Sequence, residues 1–308
     1  MTFPAENPVV DPSPTTTAER VNPQSHQTSV PQAGGGSGHV SVIRARRGWI
    51  AVDWAELWEH RELLGFLVQR DIKVRYKQTV LGVAWAVLQP VFAMLIFTLI
   101  FGRFAKIPSE DVPYAVFVYA GLLPWTFFST SVTQAAQSLI SQEALLTKIY
   151  LPRLFVPAAP VGGALVDLSI SFGVFAVLMV WYQQVPGWGI VFLPLLVLMT
   201  VVAALGVGLM LAALTVSYRD FRFVVPFMMQ VWMYASPVIY PVKLVPEEYR
   251  WVLALNPLGG IIDGFRAALL DRPFDLPTLG VSAASSVGVF LLGMFYFRKM
   301  ERRFADIA

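Results

Sequence analysis

The chain has 308 residues, of which 56% are hydrophobic and only 14% are charged, with a mean hydropathy of +0.60. Soluble domains carry about 25% charged residues, so this composition excludes a soluble enzyme or a disordered protein and favours an integral membrane protein. The net charge of +3 is too small and too scattered for a nucleic-acid-binding surface, so no nucleic-acid partner is expected. There is no cysteine, and the three histidines all precede the first long apolar block, which excludes disulfides and a multi-histidine metal site in the membrane.

The N-terminal residues 1–50 are predicted to form a disordered cytoplasmic tail. Pro, Thr, Ser, Gln and Gly dominate residues 1–40, which show no apolar periodicity. The tail also lacks the apolar core of about 7–15 residues that marks a signal peptide.

The segment 51–77 is predicted to be an amphipathic helix on the inner membrane surface. Its apolar residues recur mostly at steps of three or four, and charged residues occupy the other faces. The apolar positions are Trp54, Leu57, Trp58, Leu64, Leu67, Val68, Ile72 and Tyr76. The alternative is a helix that packs on another soluble domain, but the chain offers no second domain of that kind.

Six membrane-spanning helices are predicted in the remainder, residues 78–308. A helix needs roughly 20 apolar residues to cross about 30 Å of hydrocarbon, and five apolar blocks satisfy this, one of them long enough for two helices. The spans lie near 79–102, 113–138, 155–182, 188–216, 223–242 and 277–297. The fold class is therefore an all-α membrane protein.

Lys and Arg residues near the span ends set the orientation. With the N-terminus inside, thirteen basic residues face the cytoplasm and six face outward. Both termini are therefore predicted to be cytoplasmic.

Residues 247–270 resemble a seventh span but carry Asn256-Pro257, Gly259-Gly260, Asp263 and Arg266. A full crossing here would place the basic cluster 298–303 outside, against the charge rule. We therefore predict two short re-entrant helices, broken at Asn256–Gly260, that line or close a cavity.

Motifs for catalysis are missing from the sequence. No Gly-Lys dipeptide exists to complete a Walker A loop, and no Asp-x-Asp pair exists to hold a metal and a sugar nucleotide. No enzyme activity, cofactor or metal site is therefore predicted. Asp167, the one carboxylate within a predicted span, is interpreted as a structural, hydrogen-bonded residue, with a transport role as the alternative.

Aromatic residues make up 13% of the chain, and many lie within the spans instead of at the membrane interface. Ring faces carry negative charge density, so sugar C–H groups can slide over them, which suits a polysaccharide pore. The first and fifth predicted spans also carry glutamine and proline, which favours a cavity wall. The predicted pore-lining residues are Trp85, Gln89, Phe92, Phe223, Phe227, Gln230, Trp232 and Tyr234. The alternative for each ring is lipid contact or core packing.

Several motifs together resemble the permease subunit of type-2 ABC exporters for polysaccharides, the O-antigen and teichoic acid class, over about residues 50–308. The motifs are Arg70-Asp71-Ile72-Lys73-Val74-Arg75-Tyr76-Lys77, Gly121-Leu122-Leu123-Pro124-Trp125, Lys148-Ile149-Tyr150-Leu151-Pro152-Arg153, Tyr218-Arg219-Asp220, Ser236-Pro237-Val238-Ile239-Tyr240 and Leu255-Asn256-Pro257-Leu258.

The resemblance implies a homodimer in the lipid of the inner membrane of a bacterium. It also implies that the homodimer pairs with two copies of a separate ATPase, which binds ATP and Mg. The implied cargo is a polyprenyl-diphosphate-linked polysaccharide. Segment 51–77 would be an interface helix, 141–153 the coupling helix and 247–270 the outer gate. The implied coupling residues are Glu143, Lys148, Tyr150, Pro152 and Arg153, and the implied gate residues are Asn256, Pro257, Gly259, Gly260, Asp263 and Arg266.

A cationic cluster precedes the first span and comprises Arg70, Lys73, Arg75 and Lys77. It is interpreted as the place where a lipid diphosphate enters, since each basic residue near the surface contributes about 1 kcal/mol toward anionic headgroups. The alternative is the ordinary positive-inside pattern.

Other cargoes and activities stay open at this point. The alternatives for the whole chain are an exporter of a small drug or lipid and a membrane-embedded glycosyltransferase. Arg outnumbers Lys 17 to 6, which is typical of a GC-rich genome, and an actinobacterial source would make cell-wall galactan a candidate cargo.

Overall fold

The computed structural model describes residues 54–77, 82–109, 112–146 and 151–307, and the predicted tail lies outside them. Within these ranges every regular element is a helix. The helices are α1 (Trp54–Glu59), α2 (Arg61–Lys77), α3 (Gly82–Phe97), α4 (Tyr114–Ser141), α5 (Glu143–Leu146), α6 (Phe155–Trp181), α7 (Leu193–Ser217), α8 (Phe221–Ala235), α9 (Glu247–Leu255), α10 (Pro257–Leu269) and α11 (Leu276–Ile307). A π-helix, Thr98–Phe104, continues α3, and a 3₁₀ turn, Trp188–Phe192, precedes α7.

Five of the six predicted spans are confirmed as apolar helices of membrane-spanning length. They are Ala84–Phe104, Tyr114–Ser141, Phe155–Trp181, Trp188–Ser217 and Leu276–Glu301, with lengths of 21 to 30 residues. At a rise of about 1.5 Å per residue, each can cross the hydrocarbon core.

Helix α4 is the centre of the bundle, and α3 lies at its edge. The most apolar 18-residue stretch of α4 is 83% buried, whereas that of the first span is only 11% buried. Around α4 pack α6, α7, α10, α3 and α8, and α11 packs on α7. The core side chains of α4 include Phe117, Tyr119 and Phe128, each inaccessible to solvent.

The predicted fifth span, 223–242, is wrong in its length. Helix α8 ends at Ala235 after 15 residues, and Ser236 is already extended, with ψ 150°. The reason is Pro237, because a proline disfavours the helical conformation of the residue before it and has no N–H to continue the ladder. The apolar composition of the segment concealed this end.

The predicted surface helix is two helices, broken at His60, and it packs on the membrane domain through α6. Leu67 is 5% exposed on the packed side, while Trp58 and Phe66 are exposed on another face, where lipid can cover them. Gly162 of α6 permits the close approach, since a Cβ there would lie 2.6 Å from a Val68 methyl.

The two short helices predicted in 247–270 are present as α9 and α10, and they meet at an angle of 99°. Asn256 ends α9 and caps α10, because its side chain accepts a hydrogen bond from the Leu258 N–H. Pro257 then occupies the first helical position, where its missing N–H is harmless.

A leucine at position 162 tests the docking of α2. Gly162→Leu should destabilise the protein by about 1–3 kcal/mol, because the new side chain forces α2 away from α6. The measurement is the Tm of the purified protein in detergent. Gly173→Leu is the control on the same helix, since nothing lies within 4 Å of the Cβ built there. Equal Tm values for the two variants would show that α2 is not held at Gly162.

Candidate functional site

Helices α3 and α8 each present an exposed stripe, and the two stripes carry seven of the eight predicted pore-lining residues. On α3 the stripe carries Trp85, Gln89 and Phe92, and on α8 it carries Phe223, Phe227, Gln230 and Tyr234. The rings on these stripes are 53–68% exposed. Both helices pack against α4, yet the side chains of the stripes remain exposed, so each stripe is an open surface that combines rings with one amide.

Trp232 differs from the other predicted pore residues. Its ring is only partly exposed and meets Phe128 of α4 edge-on, with centroids 5.2 Å apart. Its indole N–H donates to the Asn256 side-chain oxygen at 3.1 Å. Asn256 in turn donates to the Ser236 hydroxyl at 2.8 Å. Trp232 therefore joins α8 to the α9–α10 junction and does not face the open stripe.

Arg266, predicted as a gate residue, is buried in the bundle with 2% of its surface exposed. Its two terminal nitrogens donate to the carbonyls of Pro237 and Val238, both at 2.7 Å, and a longer bond reaches the Tyr240 carbonyl at 3.4 Å. The guanidinium carbon also lies 3.7 Å from the centre of the Phe117 ring. The side chain thus satisfies carbonyls that the end of α8 leaves without helical partners.

Two further α4 residues complete this arrangement. The Tyr114 hydroxyl donates to the Ile239 carbonyl at 2.6 Å. Gly121 leaves room for the guanidinium, because a Cβ there would lie 2.8 Å from an Arg266 nitrogen and 3.1 Å from the Val238 carbonyl oxygen. The family motif Ser236–Tyr240 is therefore anchored to α4 and α10 by hydrogen bonds.

The remaining predicted gate residues lie at the start of α10. Pro257, Gly259 and Gly260 are buried, and the Gly260 N–H donates to the Ser282 hydroxyl of α11 at 2.9 Å. Asp263 is partly exposed on the same helix.

Asp167 has a basic partner, Arg75, which lies far from it in the sequence. The Arg75 guanidinium of α2 forms an ion pair with it and also donates to the Gln134 side chain of α4. The Tyr76 hydroxyl donates to the other Asp167 oxygen. The structural interpretation of Asp167 is consistent with this cluster, which joins α2, α4 and α6.

Burial and the bond to Asp167 raise the pKa of Tyr76 to about 12. Burial contributes most, because it disfavours the charged phenolate. The phenol therefore remains neutral and continues to donate at any physiological pH.

The other members of the predicted cationic cluster differ in their environment. Arg70 pairs with Asp71 of the same helix at 2.8 Å. Lys73 and Lys77 are exposed. Two of the four predicted cations thus already contact carboxylates.

Two clefts meet at the Arg75–Asp167 cluster. The first, here named the α3 cleft, has a volume of about 560 Å³ between α3, α4, α6 and the end of α2. The second, the α5 cleft, has a volume of about 580 Å³ beneath α2 and beside α5. Arg75 and Gln134 line both clefts and form the wall between them. Gln134 and Thr130 of the α3 cleft were missed in the sequence, although polar residues in an apolar span are a signal for function.

The predicted coupling segment is described only in part. Helix α5 carries Glu143, which is exposed, while Lys148 and Tyr150 lie outside the described residues. Pro152 accepts a hydrogen bond from the Phe155 N–H at 2.9 Å. Arg153 donates to the Glu301 carbonyl near the end of α11 at 3.1 Å. Across the described ranges, no group of three or more His, Asp or Glu residues could hold a metal.

The chain is similar in sequence to known membrane transport proteins. The profile of the ABC-2 type transporter family matches residues 62–270. The chain is 32% identical over 255 residues to the O-antigen export system permease protein RfbA of Myxococcus xanthus, covering 82% of this chain and 97% of that protein. It is 27% identical over 250 residues to the protein of the same name from Klebsiella pneumoniae, covering 80% and 95%. It is 24% identical over 248 residues to the polysialic acid transport protein KpsM of Escherichia coli, covering 76% and 92%.

Replacing Arg266 by methionine tests its role in holding the Ser236–Tyr240 turn. Arg266→Met should destabilise the protein by about 3–5 kcal/mol, because it leaves buried carbonyls without donors. Thermal unfolding in detergent measures the loss. Arg250→Met is the control, since Arg250 makes only local contacts: a bond to the Val245 carbonyl at 3.1 Å and an exposed pair with Glu247, of the kind that contributes about 0–1 kcal/mol. Similar losses in both variants would contradict the anchoring role.

A double-mutant cycle measures the Arg75–Asp167 pair. Arg75→Gln and Asp167→Asn should each destabilise the protein, and the double variant should lose less than the sum. A coupling free energy of about 0.5–3 kcal/mol is expected for side chains in direct contact. The free energy of unfolding in mixed detergent is the measurement. Strict additivity would mean that the two charges do not interact in solution.

Proposed function

The chain belongs to the ABC-2 type transporter family, and on that premise we propose that it is the permease subunit of an ABC exporter that moves lipid-linked polysaccharide across the cytoplasmic membrane. The main support for this proposal is the alignment with the O-antigen export permease of Myxococcus xanthus, because it covers 97% of that protein. A second relative is named for polysialic acid transport.

The exposed stripes of α3 and α8 support a pore built from two copies of the chain. Each stripe carries large rings more than half exposed, together with an amide, Gln89 or Gln230. Within the described part of one copy, no helix covers these stripes closely. A second copy that faced them would enclose a channel with aromatic walls, on which a sugar chain can slide without being held at one position.

The energy source is a separate ATPase. The sequence lacks a Walker A loop, so the chain itself has no site for ATP, and ATP and Mg would bind to the partner. The segment 141–153 would receive the motion of the ATPase. Its link to α11 through Arg153 and the Glu301 carbonyl supports this, because a displaced segment would pull directly on the last span.

The cationic face of α2 is proposed to attract the diphosphate of the lipid carrier. Lys73 and Lys77 are exposed and carry the larger part of this role, because Arg70 and Arg75 already pair with carboxylates. Each exposed cation contributes about 1 kcal/mol toward an anionic headgroup. Ordinary positive-inside topology requires the same charges, so the cluster alone does not identify the cargo. Both termini are proposed to be cytoplasmic.

Depletion of the protein in its native host tests the function. With a labelled sugar, finished polymer should accumulate on the lipid carrier on the cytoplasmic side, because synthesis continues while export stops. Complementation with Trp85→Ala should restore export at a reduced rate, whereas Val177→Ala, an exposed site on α6 away from both stripes, should restore it fully. The measurement is the ratio of inner to surface polymer.

Two results would contradict the proposal. If depletion abolished the polymer itself, the chain would belong to the synthesis machinery. If the polymer reached the surface normally, the cargo would be a small drug or a lipid instead.

A further inference from the structure

We propose that the α3 cleft binds an uncharged sugar unit of the cargo before it enters the pore. The inference rests on the proposed function, because it takes the cargo to be a saccharide. It assigns to the cleft a ligand class and a set of contacts that the family membership alone does not supply.

The cleft has the size and the polarity of a small-molecule site. Its volume of about 560 Å³ lies within the range of about 300–1,000 Å³ typical of ligand pockets. One end holds the polar cluster of Arg75, Asp167 and Gln134. The walls are apolar and include Phe127 and Leu168.

The charges at the polar end favour a neutral ligand. The guanidinium of Arg75 and the carboxylate of Asp167 form an ion pair, so their formal charges cancel. A phosphate in the cleft would approach the Asp167 carboxylate as closely as the Arg75 guanidinium, and the repulsion would offset the attraction. A sugar hydroxyl both donates and accepts, so it can bond to either member of the pair without displacing the other.

Further polar groups line the same space. The Gln134 oxygen accepts from Arg75, which leaves its amide N–H groups available as donors. Gln89 on α3 is exposed, and Thr130 on α4 adds a hydroxyl. Amides and hydroxyls spread over two helices match a ring that carries hydroxyls around its edge.

An aromatic surface completes the site. Trp85 lines the cleft and is 56% exposed, so the face of its indole is accessible to a ligand. The negative face of a ring attracts the slightly positive C–H groups of a sugar. Trp85 also lies on the exposed stripe of α3, so the cleft opens onto the surface proposed as the pore wall.

The α5 cleft provides a route to the site. It shares the wall of Arg75 and Gln134 with the α3 cleft and lies beside the proposed coupling segment. A sugar unit would therefore pass or displace these two side chains on its way in. Motion of α5 could thereby change access to the sugar site.

The absence of cysteine from the sequence provides a direct test. Thr130→Cys in the full chain, in membrane vesicles, places one thiol in the α3 cleft, and Ala86→Cys is a second reporter on the opposite wall in case the first variant does not insert. Ser169→Cys is the control, exposed on α6 and not part of the cleft lining. The measurement is the rate of modification by a methanethiosulfonate reagent.

The probes are methyl glycosides of common hexoses and deoxyhexoses, at up to about 100 mM, which lies far above a millimolar Kd. At least one glycoside should slow modification of the cleft thiol about threefold or more, with no effect on Ser169→Cys. Inorganic pyrophosphate and vesicles containing farnesyl diphosphate should leave both rates unchanged. When Gln89→Ala is combined with Thr130→Cys, the glycoside concentration that gives half-maximal protection should rise about threefold. Gln137→Ala, which lies outside the α3 cleft, should leave that concentration unchanged.

Three outcomes would overturn the sugar site. If pyrophosphate or farnesyl diphosphate protected the thiol, the cleft would bind the lipid headgroup instead. If no probe protected it, the cleft would not be a binding site. If Gln89→Ala did not change the protection by a glycoside, the sugar would bind elsewhere. The depletion experiment is independent of these results. Export that fails on depletion while no glycoside protects the cleft would leave the exporter intact and refute only the sugar site.

Discussion

The membrane environment requires that every buried backbone polar group finds a partner within the protein, and Arg266 meets this requirement where the helical pattern breaks. Helix α8 ends at Ala235, and residues 236–239, which follow it, are buried. The Arg266 guanidinium and the Tyr114 hydroxyl donate hydrogen bonds to four consecutive carbonyls, those of residues 237 to 240. These bonds hold the irregular segment after α8 between α4 and α10.

A second charged cluster, formed by Arg75 and Asp167, joins α2 to the helical bundle. The Arg75–Asp167 pair attaches α2 to α6, and Gln134 extends the attachment to the central helix α4. Because α2 is otherwise a surface helix with exposed apolar residues, this cluster is its polar connection to the bundle. A change in the position of α2 would therefore change the wall shared by the α3 and α5 clefts.

The two proposed interactions with cargo separate by charge. Exposed lysines on α2 suit the anionic carrier, while the α3 cleft, whose ion pair is neutral overall, suits the uncharged sugar. The exposed stripes of α3 and α8, proposed to line the pore, offer the sugar the same kinds of groups, aromatic rings and amides. A lipid-linked saccharide has both an anionic and a neutral part, so one cargo can use both surfaces.

The sequence by itself determined the membrane class, five of the spans, the break at Asn256 and the lack of an ATP motif, because apolar length, a cap residue and a motif are local properties. The early end of α8 also had a local signal in Pro237, which the apolar composition around it concealed. Only the tertiary structure decided that Arg75 is the partner of Asp167, that Arg266 faces inward to the Pro237 and Val238 carbonyls and that Trp232 belongs to the core network. Those partners lie 92, 29, 28 and 24 residues apart in the chain, so no periodicity could pair them. Each pair forms because a polar group that packing withdraws from water loses free energy unless it finds a hydrogen-bond partner.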